Sequence, residues 1–422
     1  MQEDFLHYLW KHKKIDVTNL KTTSGETVTI VSVGQHNHDS GPDFFAAQLK
    51  IDNQLWAGNV EIHVRASDWF VHNHENDKAY DNVILHVVWE YDTDIYRKNN
   101  SVIPTLELKE LVLKEAIHNY QRLFSKTQKW INCDNDFASV DDFTIQNWLE
   151  RLYFERLERK SLDIEKLLKA SSNNWEEVLF KMLTKNFGLK VNGEAFLSIS
   201  KSFNFSVVRK QQSKVINLEA LFFGQAGLLD QDNQEVYYLE LAKEYQFLKQ
   251  KFNLTQHGVL PLQFFRLRPH NFPTIRLSQL AMLYYKQQNL FSKIMNTNSI
   301  EELYILFTVS ASLFWENHFT FNKLSKQSKK VITKSFIDLL LINTIIPLKF
   351  SYAKYQGKVI DDEIIEIIQH ITSEKNSIVE KFNSLKPMST SALQSQALLQ
   401  LKIEYCDKNK CLQCSIGNAI IS

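Results

Sequence analysis

The sequence predicts a chain of two parts, an α+β N-terminal domain followed by a larger, mainly α-helical domain. Short segments rich in β-branched residues fill the first part, such as "ETVTIVSVG", "FFAAQLKI", "QLWAGNVEIHV" and "NVILHVVWEY". From about residue 141 apolar residues recur at helical spacing, as in "FTIQNWLERLYFERLERKSLDIEKLLKA". The polar, acidic segment "CDNDFASVDD" lies between the two patterns. We therefore assign residues 1–132 to the first domain and 141–422 to the second.

The elements of the first domain are expected in a fixed order. An amphipathic helix from Glu3 to Trp10 comes first, and three strands follow it. Ser67 and Asp68 are residue types that favour the start of a helix, so a short helical link is expected there. A fourth strand covers "NVILHVVWEY", and "VIPTLEL" adds a strand that Pro104 confines to the sheet edge. The predicted product is a mixed sheet with flanking helices.

Composition and charge restrict the classes of function. The chain has 422 residues, with 44% hydrophobic and 23% charged, which is typical of a globular protein with a substantial core. The formal net charge of +1 excludes a strongly basic coat for indiscriminate nucleic-acid binding. The start, "MQEDFLHYLW", has no apolar signal core, and no run approaches eighteen apolar residues. We therefore expect a cytoplasmic protein with no membrane partner.

Two acidic residues are predicted to meet on neighbouring strands. If the second and third strands pair as a hairpin around Asn53, Asp43 and Glu61 come close together at one end. His63 shares a face with Glu61 because alternate residues of a strand point the same way. Two adjacent carboxylates repel each other unless a cation lies between them, and Mg²⁺ or Mn²⁺ suits such oxygen ligands. The alternative is a hydrated sheet face, with Asp43 in a turn and Glu61 paired to an arginine.

This order of elements resembles the PD-(D/E)XK nuclease-like fold. Pro42-Asp43 matches the first half of that motif, and Glu61-Ile62-His63 matches the second. The resemblance implies that Asp43 and Glu61 hold the metal, with Glu3 of the first helix as a further site residue. His63 stands where the family usually has lysine. An imidazole can accept a proton near neutral pH or bind the metal, and the change can also mark a member that has lost activity.

The chain also resembles, over nearly its whole length, an uncharacterised bacterial family of unknown function. This resemblance carries no established activity, so it supports the architecture more than the function. The matching stretches are "GPDF" (41–44), "GNVEIH" (58–63), "SDW" (67–69) with His72 and His74, "LHVV" (85–88), "FFGQAGLL" (222–229) and "FRLRPHNFPTIRL" (265–277).

Histidines are concentrated in the first domain. Imidazole clusters suit Zn²⁺, iron or Mn²⁺, so a zinc-dependent or two-ion hydrolase is a second chemical hypothesis. The spacing of His36 from His38, and of His72 from His74, puts both rings on one side only in an extended backbone. His86 is expected to be a satisfied sheet residue, whereas His72 and His74 either line the site or lie on a helix surface. The six clustered residues are His36, His38, His63, His72, His74 and His86.

Four cysteines form a second constellation. "YCDKNKCLQCSIG" supplies Cys406, Cys411 and Cys414, and Cys133 is the remaining one. Three clustered thiolates with a fourth ligand suit Zn²⁺ or an iron–sulfur cluster. Some PD-(D/E)XK nucleases are held together by an iron–sulfur cluster, although with a different cysteine spacing. Buried reduced thiols and a disulfide are the two alternatives.

A proline-interrupted basic segment, "FFRLRPHNFPTIRL", carries Arg266, Arg268 and Arg276. Arginines beside aromatic rings can hold phosphates and stack on bases, and an interdomain contact is the alternative. Together these patterns predict a divalent-metal-dependent nuclease or phosphodiesterase acting on nucleic acid. The rival is a non-catalytic nucleic-acid-binding or scaffold protein that retains the nuclease-like fold. The sequence identifies no protein partner.

Overall fold

The computed structural model describes residues 2–125 and 129–421 of the chain. Its N-terminal part is a mixed sheet with flanking helices and the rest is mainly helical, which confirms the predicted fold class. The chain forms two compact units. The first comprises Met1–Trp148, Ser384–Pro387 and Gln400–Ser422, and the second comprises Leu149–Asn383 and Met388–Leu399.

The sheet of the first unit has six strands in the order β1-β3-β4-β5-β6, with β2 paired to β3. β1, β3 and β4 run antiparallel, whereas β4, β5 and β6 run parallel. The hairpin between β3 and β4 turns at residues 52–53, since Ile51 pairs with Gln54. Strand bounds are β1 Val28–Ser32, β2 Gln35–His36, β3 Phe44–Ile51, β4 Gln54–Arg65, β5 Val83–Glu90 and β6 Thr105–Glu107. As predicted, the strand after Pro104 lies at the sheet edge.

Helix α1 (Glu3–Lys11) packs against β4 through an apolar face that includes Phe5, Leu9 and Trp10. Helix α2 (Asp68–Val71) follows β4, and Trp69 inside it is 1% exposed. Trp69 and Tyr80 belong to a small apolar cluster that fixes the connection between β4 and β5. Burial of such large side chains removes apolar surface from water and stabilises this otherwise polar segment.

Two further helices complete the first unit. They are α3 (Lys114–Leu123) and α18 (Ser415–Ile421), which pack against each other. This contact joins residues 400–421 to the first unit, whereas the sequence placed them in a helical domain spanning 141–422. Periodicity shows which face of a helix is buried, but it does not show which distant segment covers that face.

The rest of the described chain is mainly helical. One stretch, Lys334–Tyr355, is long and apolar enough to cross a membrane, yet 78% of its most apolar window is buried inside the protein, as in a core helix. A π-helical turn at Leu341–Ile345 interrupts this stretch, and strands β7 (His318–Thr320) and β8 (Lys323–Leu324) form a small hairpin. The helices are α4 Asp142–Ala170, α5 Trp175–Phe187, α6 Leu189–Lys201, α7 Ser206–Gln211, α8 Val215–Gln225, α9 Val236–Phe252, α10 Pro273–Lys286, α11 Leu290–Asn296, α12 Ile300–Phe307, α13 Lys334–Leu340, α14 Ile346–Tyr355, α15 Asp361–Gln369, α16 Ser377–Leu385 and α17 Ala392–Gln400.

Candidate metal centre

The two predicted acidic residues lie side by side at the end of the β3–β4 hairpin. The backbone N–H of Asp43 donates to Oε2 of Glu61 at 3.1 Å. In return, the backbone N–H of Ile62 donates to Oδ2 of Asp43 at 2.8 Å. Each carboxylate therefore accepts a hydrogen bond from the strand that carries the other one. These two bonds fix both side chains at the start of β3 and in the second half of β4.

Three histidines gather beside Glu61. The Nε2 atoms of His63 and His74 lie 3.5 and 3.3 Å from Oε1 of Glu61. Nε2 of His63 also lies 3.1 Å from Nδ1 of His72. The ligand atoms of His63, His72 and His74 are all within 4.8 Å of one another. His63 is buried while His72 is exposed, so this group has one side open to solvent.

A left-handed residue brings His72 and His74 to the same place. His72 follows the last residue of α2, and Asn73 adopts φ 58° and ψ 33° before a short 3₁₀ turn begins at His74. The expectation that this spacing needs an extended backbone is therefore wrong here, because a single left-handed residue reverses the chain direction. The ring of His74 stacks on Tyr80 at 3.8 Å, which fixes its orientation.

His86 supports the group from within the sheet. It pairs with Glu61 across the parallel strands β4 and β5, and it is 0% exposed. Its Nε2 lies 2.8 Å from Nδ1 of His63. A histidine that binds a metal through one ring nitrogen commonly donates its other N–H to a neighbour, and this contact supplies such a neighbour. Both ring nitrogens of His63 thus have histidine partners. Its predicted part in activating water stays a prediction.

A second side of the site is formed by α1. Nε2 of His7 lies 3.2 Å from Oδ2 of Asp43. Glu3 lies one helical turn earlier. Its pKa is raised, chiefly by burial and also by the charge of Asp43, while the charge of His72 acts in the opposite direction. Sequence reasoning included Glu3 but missed His7. The signal was available, because residues four apart share a helix face.

The other two predicted histidines lie beside His7, outside the group of three. The ring of His36 stacks on Phe44 at 4.8 Å and lies 4.4 Å from the ring of His38. The rings of His7 and His36 are 5.3 Å apart. Burial, followed by the charges of His38 and His7, lowers the pKa of His36 to about 4, so its imidazole is neutral at physiological pH.

The protonation states of the site are compatible with a bound cation. Glu61 is 5% exposed, and burial, followed by the charge of Asp43, raises its pKa to about 9. Burial, followed by the charges of His74 and His72, lowers the pKa of His63 to about 3. Neutral imidazoles can bind a metal, and the buried Nε2 of His74 makes no well-formed hydrogen bond although Oε1 of Glu61 lies 3.3 Å away. A divalent ion would satisfy that nitrogen and allow Glu61 to ionise, so these residues fit a metal.

The four cysteines all lie in the first unit as free thiols. They line one small cavity, and burial raises the pKa of every one of them. Cys406 is half-buried, and the other three, Cys133, Cys411 and Cys414, are buried.

The three predicted arginines differ in exposure. Arg266 and Arg268 are exposed in the loop before α10, where a phosphate backbone could reach them. Arg276 is only 6% exposed, and its guanidinium lies 3.6 Å from the ring centre of Phe336. It donates to Oε1 of Gln279 at 2.9 Å and to Oδ1 of Asn271 at 2.6 Å. The expectation that Arg276 contacts nucleic acid is wrong, because the helix that starts at Pro273 turns this side chain into the core.

By its fold the protein is a mixed-sheet protein with a mainly helical C-terminal region, and the sheet carries a cluster of histidines and carboxylates. Residues 3–377 match the family described as "Protein of unknown function (DUF2851)", and the chain belongs to that family. No curated protein and no solved structure matches the chain. The resemblance of the N-terminal domain to the nuclease-like fold stays a prediction.

Proposed function

We propose that this protein is a divalent-metal-dependent hydrolase that cleaves phosphodiester bonds of nucleic acid. One observation carries the proposal. Ligand atoms from His63, His72 and His74 lie within 4.8 Å of one another, and both Nε2 of His63 and Nε2 of His74 are within 3.5 Å of the Glu61 carboxylate. Three imidazoles and a carboxylate thus lie together, and the site is accessible to solvent on the side of the exposed His72.

The donor set indicates which ion fits. Imidazole and carboxylate ligands suit Zn²⁺ or Mn²⁺, whereas Mg²⁺ prefers an all-oxygen shell. Of the two ions expected at the carboxylate pair, Mn²⁺ is thus favoured, and the zinc hypothesis drawn from the histidines gains support. When bound, such an ion lowers the pKa of a coordinated water and neutralises charge on a phosphoryl oxygen.

The remaining residues supply positioning and proton transfer. His86 holds His63 through Nδ1, which leaves Nε2 directed at the ligand group. Burial lowers the pKa of His7, but the hydrogen bond and charge of Asp43 outweigh it and raise that pKa above its ordinary value. His7 is therefore the candidate proton acceptor, and Asp43 orients it. The activity is expected to rise with pH as His7 becomes neutral.

The choice of nucleic acid as substrate rests on the nuclease-like order of elements and on Pro42-Asp43 with Glu61-Ile62-His63. A cytoplasmic location is part of this proposal. The second candidate is a non-catalytic nucleic-acid-binding or scaffold protein. His63 stands where the nuclease-like motif usually has a lysine that positions the attacking water, and it is only 2% exposed. A buried imidazole in place of that lysine favours the second candidate.

The test measures cleavage of labelled single- and double-stranded DNA and RNA by protein loaded with Mn²⁺, Zn²⁺ or Mg²⁺. We expect cleavage with Mn²⁺ or Zn²⁺ and a loss of about 100-fold or more in His72→Ala. His72 is exposed, so this change leaves the core intact. The matched control is His118→Ala, which removes an exposed histidine of α3 and should leave activity unchanged.

Two results would reject the proposal. Binding of nucleic acid without cleavage under any metal would establish the scaffold function. Cleavage by His72→Ala at the rate of the wild type would show that the histidine group is not the site.

A further inference from the structure

The cysteines of this chain come together from distant parts of the sequence. Cys133 lies shortly before α4, and the others lie in residues 406–414, more than 250 positions later along the chain. Cys406 ends a π-helical turn, Cys411 begins a 3₁₀ turn, and Cys414 immediately precedes α18. These are all four cysteines of the 422-residue chain. The segment before α4, the end of the π-helical turn and the two ends of the 3₁₀ turn therefore present thiols to one cavity, which is lined by all four cysteines.

Hydrogen-bond donors point at the sulfur atoms. The side-chain amide of Asn132 donates to Sγ of Cys411 at 3.4 Å. The backbone N–H groups of Ile416 and Gly417 lie near the sulfur of Cys414 and lower its pKa, against the larger effect of burial that raises it. A neutral thiol is a weak acceptor, whereas a thiolate accepts such bonds well. These donors offset part of the burial that raises the pKa of the thiols, and a bound cation would offset the rest.

The turn itself depends on a glycine. A Cβ atom at Gly417 would clash with the carbonyl group of Cys411, so the spacing Cys-x₂-Cys-x₂-Gly lets the first turn of α18 close onto the 3₁₀ turn. This close approach keeps the backbone N–H groups of residues 416 and 417 next to Cys414.

We propose that Cys133, Cys406, Cys411 and Cys414 bind one structural Zn²⁺ ion as four thiolates. A tetrahedral Cys₄ set with no open position is a common structural zinc site. The cavity that they line measures about 10 Å³, which is room for about one water or one ion. The sulfur atoms of these four described cysteines are not all within 4.8 Å of one another, so they must move inward around the ion.

The position of this site gives the ion a role. The 3₁₀ turn at Cys411–Gln413 packs against α1, and α18 packs against α3. Helix α1 carries Glu3 and His7 of the candidate metal centre. The zinc ion would therefore fasten residues 400–421 to the helix that forms one side of that centre. Three of the four ligands lie beyond residues 3–377 that match the family. The zinc site does not depend on the proposed hydrolase activity.

The experiment is a metal inventory of the full chain, purified without chelators, by inductively coupled plasma mass spectrometry. Zinc could be bound at the cysteines or at the histidine group. The double variant His72→Ala/His74→Ala removes two ligands of the histidine group and is therefore the matched control. We expect that variant to retain one zinc per chain. Cys406→Ser should lose that zinc, and its melting temperature should fall, because binding energy at such a site is folding energy.

Cobalt substitution of the wild type keeps the test valid if the cysteine variant does not fold. Co²⁺ at this site should give the intense sulfur-to-cobalt absorption of a four-thiolate site, in the double histidine variant as well. Iron with sulfide, a spectrum of nitrogen and oxygen ligands only, or a wild type with four freely reactive thiols and no zinc would each overturn the proposal.

Discussion

Replacement of Glu61 by glutamine tests the electrostatics of the candidate metal centre most directly. Burial and the charge of Asp43 raise the pKa of Glu61 from 4.5 to about 9, so the folded protein holds a proton there that the unfolded chain releases near pH 4.5. The raised pKa therefore contributes stability that is present at low pH and is lost as pH rises toward 9. Glutamine keeps the size and the acceptor for the Asp43 N–H but does not titrate.

The magnitude follows from the pKa difference. Each pH unit between the two pKa values changes the free energy of unfolding by about 1.4 kcal/mol. Between pH 7 and pH 9 the wild type should lose about 2 kcal/mol through this group, since the slope flattens near pH 9. This window lies above the titration of the histidines with lowered pKa, such as His63, so their opposite contribution does not interfere.

The assay is urea denaturation at pH 7 and pH 9, followed by tryptophan fluorescence, for wild type and Glu61→Gln in parallel. The variant should show the smaller loss of stability, and the difference between the two proteins isolates Glu61. Exposed Glu110 provides the matched control, and Glu110→Gln should behave as the wild type does. An equal loss in wild type and Glu61→Gln would refute the argument that Glu61 is protonated in the folded protein.

A divalent ion should stabilise the wild type more than Glu61→Gln. Saturation at about 100 times the dissociation constant stabilises a folded protein by roughly 3 kcal/mol. Wild type should gain this with Mn²⁺ or Zn²⁺ because its carboxylate can ionise against the ion. Glu61→Gln lacks the charge and should gain less. Equal gains would show that Glu61 is not a ligand.

Two further predictions concern residues that support their surroundings. His86→Ala should weaken the binding of Mn²⁺ or Zn²⁺ by about 10- to 100-fold, because the Nδ1 atom of His63 loses its partner. A direct metal titration measures this, and an unchanged affinity would show that His86 does not support the site. Arg276→Ala should destabilise the protein by about 3 kcal/mol, because it leaves a cavity beside Phe336 and unpaired acceptors on Gln279 and Asn271, while nucleic-acid affinity stays as in the wild type. A loss of affinity with unchanged stability would return Arg276 to the binding surface.

The sequence was informative where local periodicity and pairing decide the structure. Counting from the hairpin around residue 53 placed Asp43 near Glu61, and an irregularity between Phe44 and Ala47 that the sequence does not reveal shifts the pairing by one residue. The helix from Glu3, the strands and the edge strand after Pro104 are also local consequences of apolar spacing and proline chemistry.

The remainder depends on contacts between distant segments. His7 reaches Asp43 because α1 packs on β4, and the sequence does not specify which helix face meets which strand. The convergence of His72 and His74 depends on left-handed Asn73, a conformation that asparagine tolerates without requiring it. The inward orientation of Arg276 follows from where α10 begins, which is a difference of a few residues that a pattern of prolines does not resolve.

The first unit is discontinuous along the chain, and this has a consequence for biosynthesis. Residues up to 148 emerge from the ribosome first, but residues 384–387 and 400–422 of the same unit emerge only after the helical segment has been made. During that interval the face of α3 that α18 covers, and the thiol of Cys133, remain without their final neighbours. Translation of the roughly 250 intervening residues takes on the order of tens of seconds, during which this contact cannot form. The first unit therefore completes its internal contacts only after translation has passed residue 400.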